Sequence, residues 1–400
     1  MADPDASPAP SQRSQVDPAP SWAPILPKDL AAQALGVVDE VAQVLGESEP
    51  SPFLADGDAG RSLFLAYLHE AMPGRGYDEK AIELLERAMS GVSGKEGVSP
   101  SLFNGFAGMA WVLEHLQGSS AAEEEDTGED VAEALAAHLD QSPWRRALDL
   151  MDGLVGLGVY ALERFPRPGG ETCLERVVDR LAETAERRPE GIVWPSPNGG
   201  IDLGVSHGVP GKIGLLGSVC AIRVAETVAR PLLDGAVAWL LANKLPAGAA
   251  SVFPYSLVPG EEPTATHLAW CYGDLGIAAT LLAASRSVGK SAWEHEALAI
   301  ARRTAARFAE ASGLFDLSLC HGVTGIAHLF NRLFQASGEP VFREVALAGF
   351  RRAITGRLPA GSGFLTGAAG VGLALLAAAT PVEPAWDRVL LVSSRPSPTP

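Results

Sequence analysis

The chain alternates between two kinds of helical segment. In the first kind, apolar residues recur at i, i+3, i+4 and i+7 among charged ones, as at Leu174, Val177, Val178 and Leu181. This spacing predicts helices that bury one face. Such segments lie at about 28–46, 77–91, 129–142, 171–188, 229–244, 291–312 and 340–357. In the second kind nearly every residue is apolar, as in IAATLLAAS and VGLALLAAA, which predicts helices buried on all sides.

Each all-apolar segment begins at a glycine pair, G-x-x-G. The pairs start at residues 57, 105, 153, 208, 273, 322 and 367, which are 48, 48, 55, 65, 49 and 45 residues apart. This period indicates a repeat architecture in which the glycines allow a tight loop and close approach of backbones. One-faced helices belong outside and all-apolar helices inside, so we predict an all-α fold, an α/α toroid of seven inner and seven outer helices. The period does not distinguish a closed ring from an open solenoid.

The ends of the chain differ in composition from the repeats. Residues 1–24 and 393–400 are rich in Pro and Ser, so we predict two disordered tails around one toroid domain at 25–392. The first residues lack the basic and apolar regions of a signal peptide. The apolar stretch at 364–382 is long enough for a membrane span, but its glycines and its place in the repeat predict a buried core helix. We therefore expect a cytoplasmic protein without a transmembrane segment.

The net charge of the chain limits the kinds of molecule that it is expected to bind. The formal net charge is -17, with 47% hydrophobic and 20% charged residues. This charge argues against nucleic-acid binding, which requires clustered Lys and Arg. The excess of acidic residues predicts a well-solvated surface around a large core.

Two connections are long and poor in helical pattern. They span 187–208 and 244–267, and both are rich in Pro and Gly with a few aromatic residues. We interpret them as loops or short hairpins. Because long loops in compact domains often carry function, and because these lead directly into the fourth and fifth glycine pairs, they point to a functional site there.

Two of the four cysteines occupy the same place in two repeats. Cys271 and Cys320 each lie two residues before a glycine pair, and His321 follows Cys320 directly. Equivalent positions of a repeat lie at the same end of the ring, so we expect these side chains to meet. Thiolate and imidazole suit Zn²⁺, and three protein ligands leave a fourth position open, as in catalytic zinc sites. The alternative is a pair of buried thiols that pack as small hydrophobic groups.

Side chains suited to proton transfer stand at related places. His207 and Tyr272 each come one residue before a glycine pair, Asp149 comes four before the third pair, and His267 six before the fifth. On its own, His207 could be a hydrogen-bonded rim histidine, and Asp149 could be only a helix N-cap. Next to a metal site, the position of His207 favours catalysis. The remaining cysteines, Cys173 and Cys220, fall within helical patterns.

Several motifs together resemble the lanthionine synthetase C family, the cyclases of lanthipeptide (lantibiotic) biosynthesis. They are W-C-Y-G at 270–273, C-H-G at 320–322, H-G-x-x-G at 207–211 and the seven glycine pairs, and the resemblance covers about 25–392. It implies a toroid with zinc bound by Cys271, Cys320 and His321. The implied substrate is a precursor peptide, leader plus core, whose Ser and Thr have been dehydrated to dehydroalanine and dehydrobutyrine. Addition of its Cys thiols to these residues forms (methyl)lanthionine thioether rings.

The resemblance also implies roles and partners. It assigns acid/base work to His207, its orientation to Asp149, and a polar role in the site to Tyr272. Cyclases of this type usually carry Arg four residues before the first zinc cysteine, where this chain has His267. Because no dehydratase or kinase domain is attached, the implied partners are a separate dehydratase and a transporter, in a cytoplasmic complex at most peripheral to the membrane.

Other functions stay open from the sequence alone. A related enzyme could add glutathione or another free thiol to dehydrated residues, and the neighbouring genes would separate this function from the cyclase. A non-catalytic member could act as a scaffold or bind leader peptide, which a metal assay would test. An α/α-barrel prenyltransferase subunit also activates a thiol with zinc, but its ligands normally include a carboxylate.

Overall fold

A computed structural model of the chain describes residues 22–45, 49–95, 97–118, 126, 128–196, 198–310 and 316–393. Fourteen α-helices account for most of these residues. In chain order they are α1 (Lys28–Leu45), α2 (Asp58–Ala71), α3 (Tyr77–Val92), α4 (Phe106–Gln117), α5 (Glu129–Leu139), α6 (Leu154–Arg164), α7 (Gly170–Thr184), α8 (Val209–Ala221), α9 (Glu226–Ala242), α10 (Asp274–Ser287), α11 (Ser291–Glu310), α12 (Val323–Ser337), α13 (Pro340–Thr355) and α14 (Ala368–Ala379).

The even-numbered helices form the inner ring. Each packs against the next even-numbered helix, and α14 packs against α2, so the ring is closed. These are the all-apolar segments that follow the glycine pairs, and in α14 every residue from Ala368 to Ala378 is buried. The prediction of a core helix at 364–382 is therefore confirmed. None of the described helices is both long enough and apolar enough to cross a membrane.

The odd-numbered helices lie outside and cover the inner ring with one apolar face. In α7 the predicted positions Leu174, Val177, Val178 and Leu181 are all buried. Most outer helices pack on the inner helix that precedes them, as α3 does on α2 and α13 on α12. The first helix, α1, instead packs on α14, the last inner helix. The first outer helix and the last inner helix thus form one helix pair, which joins the two ends of the toroid domain. The predicted toroid is confirmed.

Part of the segment predicted as a tail packs against the toroid. The indole N–H of Trp22 donates to the Ala377 carbonyl at 2.7 Å, and the Arg332 guanidinium lies 4.7 Å from the centre of its ring. Trp22, which lies before the predicted domain boundary at residue 24, is therefore part of the packed structure. At the other end, the Ser393 hydroxyl bonds to Asp387. The rest of the predicted tails, residues 1–21 and 394–400, lies outside the described residues.

The glycine pairs let each inner helix start against the loop before it. The second glycine of every pair lies in the first helical turn. A Cβ atom there would lie within 2.5 Å of the carbonyl oxygen six residues earlier, such as that of Leu54 for Gly60 or Leu319 for Gly325. Real Cβ atoms do not come this close to backbone. The predicted close approach is therefore confirmed, and it recurs in all seven repeats.

Backbone hydrogen bonds join the seven loops before the glycine pairs into a second closed circuit. The N–H to O bonds, 2.9–3.4 Å long, are Ala55 to Phe103, Phe103 to Met151, Leu150 to Ser206, Ser206 to Cys271, Trp270 to Cys320, Cys320 to Leu365 and Leu365 to Ala55. All inner helices therefore begin at the same end of the ring. We call this end, formed by the seven loops, the mouth.

The two long connections contain the described strands. Strands β1 (Glu186–Arg188) and β2 (Gly191–Val193) form the predicted kind of short antiparallel hairpin, with Arg187 opposite Ile192. Strand β3 (Ile201–Asp202) pairs with β4 (Ser256–Leu257) of the other connection. That second pairing was not predicted, because it joins two loops distant in sequence. It brings residues of both loops to the mouth.

Candidate functional site

The three predicted metal ligands meet at the mouth. The ligand atoms of Cys271, Cys320 and His321 all lie within 4.8 Å of one another. Both cysteines are partly buried and the histidine is exposed. Two sulfurs and one imidazole nitrogen at this spacing form a donor set that can hold a metal ion of zinc type, with one position of a tetrahedron left over.

The backbone circuit holds these ligands in place. The Cys271 carbonyl accepts hydrogen bonds from both the N–H and the hydroxyl of Ser206, each at 3.3 Å. The Cys320 carbonyl accepts from the Trp270 N–H at 3.0 Å, and its own N–H donates to Leu365 at 2.9 Å. Each cysteine is therefore fixed by bonds to neighbouring repeats rather than by its own loop alone.

The two thiols share a hydrogen bond. That bond, from the Cys320 side chain, lowers the pKa of Cys271 to about 6 against the opposing effect of burial. The same bond, together with burial, raises the pKa of Cys320. The pair thus gives up its first proton readily, as a metal-binding dithiol must. By contrast, burial raises the pKa of the core thiols Cys173 and Cys220 to about 11.

A carboxylate that the sequence did not single out lies beside His321. The Oδ2 of Asp316 lies 3.3 Å from Nε2 of His321, and its Oδ1 accepts the Ser318 N–H at 2.6 Å. A carboxylate beside a histidine ligand is typical of metal sites. The available signal was an aspartate five residues before a predicted histidine ligand.

His207 is paired with Asp149, as the resemblance implied. Nδ1 of His207 lies 3.0 Å from Oδ2 of Asp149, whose Oδ1 accepts the Asp152 N–H at 2.8 Å. The carboxylate thus both orients the imidazole and closes its own loop. The hydrogen bond that His207 donates to Asp149 raises the pKa of His207, although burial opposes the shift. Despite burial, the bonds from His207 and Asp152 keep the pKa of Asp149 below its ordinary value.

Tyr272 connects His207 to the metal-ligand cluster. Its ring stacks on His207 with centres 5.9 Å apart and lies 5.5 Å from the ring of Tyr255. Burial, followed by the charge and hydrogen bond of Asp202, raises the pKa of Tyr272, so its phenol stays protonated. Neither Asp202 nor Tyr255 was predicted, since the β3–β4 pairing that places them is not visible in local pattern.

His267 lies at the rim of the same mouth. Its ring meets Tyr255 edge-on, with centres 5.4 Å apart. The side chain is exposed. The structure therefore brings His267 to the aromatic group that includes Tyr272, but on its solvent side.

A buried lysine near the mouth was also missed. Lys212 is only 2% exposed in the first turn of α8, where its Nζ donates to the Gly208 carbonyl at 3.2 Å. Burial lowers its pKa to about 8, while the charges of Asp149 and Asp202 oppose the shift. The sequence signal was a single charge inside an all-apolar helical pattern.

Comparison with known proteins gives two results. The sequence matches the family described as lanthionine synthetase C-like protein over residues 50–391. Among solved structures, the fold is similar to that of nisin cyclase, with a TM-score of 0.71 and 17% sequence identity. The match covers 92% of this chain and 98% of the other. At this identity the similarity establishes a shared toroid.

Proposed function

The chain belongs to the lanthionine synthetase C-like family, and from this premise we propose that it is a zinc-dependent lanthipeptide cyclase. The observation that carries the proposal is the shared mouth, where the cluster of Cys271, Cys320 and His321 adjoins the His207–Asp149 pair. Its substrate is a dehydrated precursor peptide supplied by a separate dehydratase. The reaction is intramolecular addition of a peptide Cys thiol to dehydroalanine or dehydrobutyrine.

Cys271, Cys320 and His321 would hold the zinc ion, which leaves one position for the substrate. When bound, zinc keeps a thiol deprotonated at neutral pH, although an ordinary thiol has a pKa of about 8.5. Asp316, whose Oδ2 lies 3.3 Å from Nε2 of His321, would help to orient the imidazole. The backbone circuit positions both cysteines before any metal arrives.

His207 would handle the protons of the reaction. The electron pair of the thiolate sulfur forms the new S–Cβ bond. The electrons of the dehydro residue's double bond then form an enolate, whose α-carbon must receive a proton. Asp149 binds Nδ1 of His207, so Nε2 is the nitrogen that can serve the substrate. The raised pKa of His207 keeps more of it protonated near neutral pH, which suits a proton donor.

Two aromatic contacts would support this role. The protonated phenol of Tyr272 stacks on His207 and limits its rotation. His267 would act from the rim, through its contact with Tyr255, where the family usually has Arg. Because its side chain is exposed, it can meet a peptide that enters from solvent.

Cyclisation of a dehydrated precursor peptide tests the proposal. Ring closure leaves the mass unchanged, so the readout is alkylation of the remaining free thiols followed by mass spectrometry. We expect the wild-type chain to protect the thiols, and both Cys271→Ala and His207→Ala to leave them alkylated. Of these two variants, only His207→Ala should retain zinc.

Glutathione added to the same assay separates the second candidate enzyme activity. A mass increase by one glutathione per dehydro residue, without protected peptide thiols, would show addition of a free thiol instead. Binding of the leader peptide by protein that lacks zinc and protects no thiol would show a scaffold.

A further inference from the structure

A pocket opens at the end of the toroid opposite the mouth. Its walls come from α4, α6, α8 and the segment after α14. Glu163 in its wall lies ten residues after Gly153, where α6 begins. Because a helix rises 1.5 Å per residue, about 15 Å separates the pocket from the mouth.

The lining is mostly apolar. The apolar walls include Trp111, Val159, Leu162, Phe165, Ile222 and Leu391. Two serine hydroxyls also line it, but Ser218 already donates to the Gly214 carbonyl at 3.0 Å and Ser393 to Asp387. An apolar cavity with a few placed polar groups is the usual form of a small-molecule site.

A hydrogen-bonded chain behind the wall fixes Glu163. Nδ1 of His115 lies 3.0 Å from Oε1 of Glu163, and Nε2 lies 2.8 Å from the Tyr67 hydroxyl. Because a carboxylate only accepts, Nδ1 of His115 donates to Glu163, and in the neutral imidazole Nε2 accepts a hydrogen bond from the Tyr67 hydroxyl. His115 also stacks on Trp111 with centres 4.6 Å apart. The carboxylate of Glu163 is thus occupied by hydrogen bonds within the protein.

Arg388 is the polar group left for a ligand. Its Nη1 donates to Oε1 of Glu163 at 3.3 Å, and within the described chain this is the one hydrogen bond of its guanidinium. It belongs to a 3-10 helix, Ala385–Leu390, anchored by the indole N–H of Trp270 on the Leu390 carbonyl at 2.9 Å. The guanidinium is therefore held at the pocket wall with further N–H donors to offer.

We propose that this pocket binds a small molecule that combines one carboxylate with an apolar body. A guanidinium at an apolar wall pairs best with a planar anion that accepts two N–H bonds. A cationic ligand would have to displace Arg388 from Glu163, and a neutral ligand would leave the guanidinium N–H groups that do not face Glu163 without a charged acceptor. The pocket shares no residue with the mouth, so the site is independent of the proposed cyclase function.

Calorimetric titration of the full chain with benzoate, phenylacetate and 4-methylpentanoate, each beside its amide, tests the site. We expect saturable binding of at least one carboxylate and at least about tenfold weaker binding of its amide. Arg388→Gln should weaken binding to a similar degree. Ala221→Leu, which adds side-chain volume at the pocket wall, should abolish it.

Two controls locate the probe. Arg75→Gln removes an exposed arginine paired with Asp39 and should leave the affinity unchanged. Cys271→Ala should also bind normally, since the pocket is remote from the mouth. Any one of four results would overturn the proposal. They are a lack of saturable binding for all of the carboxylates, equal binding of the amides, wild-type affinity in Ala221→Leu, and loss of binding in Cys271→Ala.

Discussion

At the scale of single residues, His207 depends on one carboxylate for its charge. Asp149 lies 3.0 Å away and raises the pKa of the imidazole, against burial that would lower it. The protonated form therefore persists to higher pH than in an ordinary histidine of pKa about 6.5. A proton donor for the enolate requires that form.

The pH dependence of cyclisation should follow this pair. With His207 as donor, the rate should fall as pH rises through its pKa, above about 6.5. Asp149→Asn removes the main cause of the raised pKa, so the fall should move to lower pH and the loss of rate should be larger at pH 8 than at pH 6. The measurement is a pH–rate profile for both proteins. The exposed Asp179→Asn is the control, and an unmoved profile in Asp149→Asn would contradict the donor role.

His267 gives a second residue-level prediction. If it does the work of the family's usual Arg at the rim, His267→Arg should keep the cyclisation rate. His267→Ala should lower it about tenfold without loss of zinc, because a rim donor to the enolate is removed. Rates and zinc content are measured together, with the exposed His295→Ala on α11 as control. Wild-type rates in His267→Ala would show that the side chain only fills space in its loop.

Side chains whose position depends on the repeat were predicted from the sequence better than side chains whose position depends on the pairing of two loops. Cys271 and Cys320 could be placed together because both stand two residues before a glycine pair. Asp202 and Tyr255 could not, because the β3–β4 pairing that brings them in joins residues more than fifty positions apart. Burial of Lys212 near Asp149 depends on the same three-dimensional arrangement.

At the scale of elements, helix starts are set by backbone contact rather than by side-chain caps. The first glycine of each pair is the N-cap in extended conformation, with no side-chain bond to the helix, as at Gly322 before α12. The second, Gly325, lies against the Leu319 carbonyl. The helices were predictable within a few residues because amphipathic and all-apolar patterns are local properties.

Substitution of Gly325 tests this contact. Gly325→Ala should lower the free energy of unfolding by roughly 2–4 kcal/mol, since its Cβ would overlap backbone that cannot move without disturbing the Cys320 loop. Gly36→Ala is the matched control, because Gly36 is an exposed helical glycine with open space around its Cβ position. It should raise the free energy by about 0.5–1 kcal/mol. Urea unfolding measures both, and equal effects would contradict the role of close approach.

At the scale of the whole molecule, two closed circuits hold the fold. One is the inner ring of helices from α2 to α14, and the other is the ring of backbone hydrogen bonds at the mouth. Closure itself was not predictable, because a periodic pattern is the same in a ring and in a solenoid. It depends on the contacts of α14 with α1 and α2, between the two ends of the chain.

These circuits determine what metal removal should do. The bonds that position Cys271 and Cys320 run between backbone groups, and the inner helices bury their apolar residues on one another rather than on a metal. Purified protein should carry about one zinc per chain. A strong chelator should remove it and leave the helical circular dichroism and a cooperative thermal transition in place, at a somewhat lower midpoint because bound metal stabilises only the folded state. Cys271→Ala and Cys320→Ala should behave like the chelated protein. Loss of helical signal on chelation, as in a zinc finger, would show that the metal builds the fold, whereas full zinc in both variants would place it elsewhere.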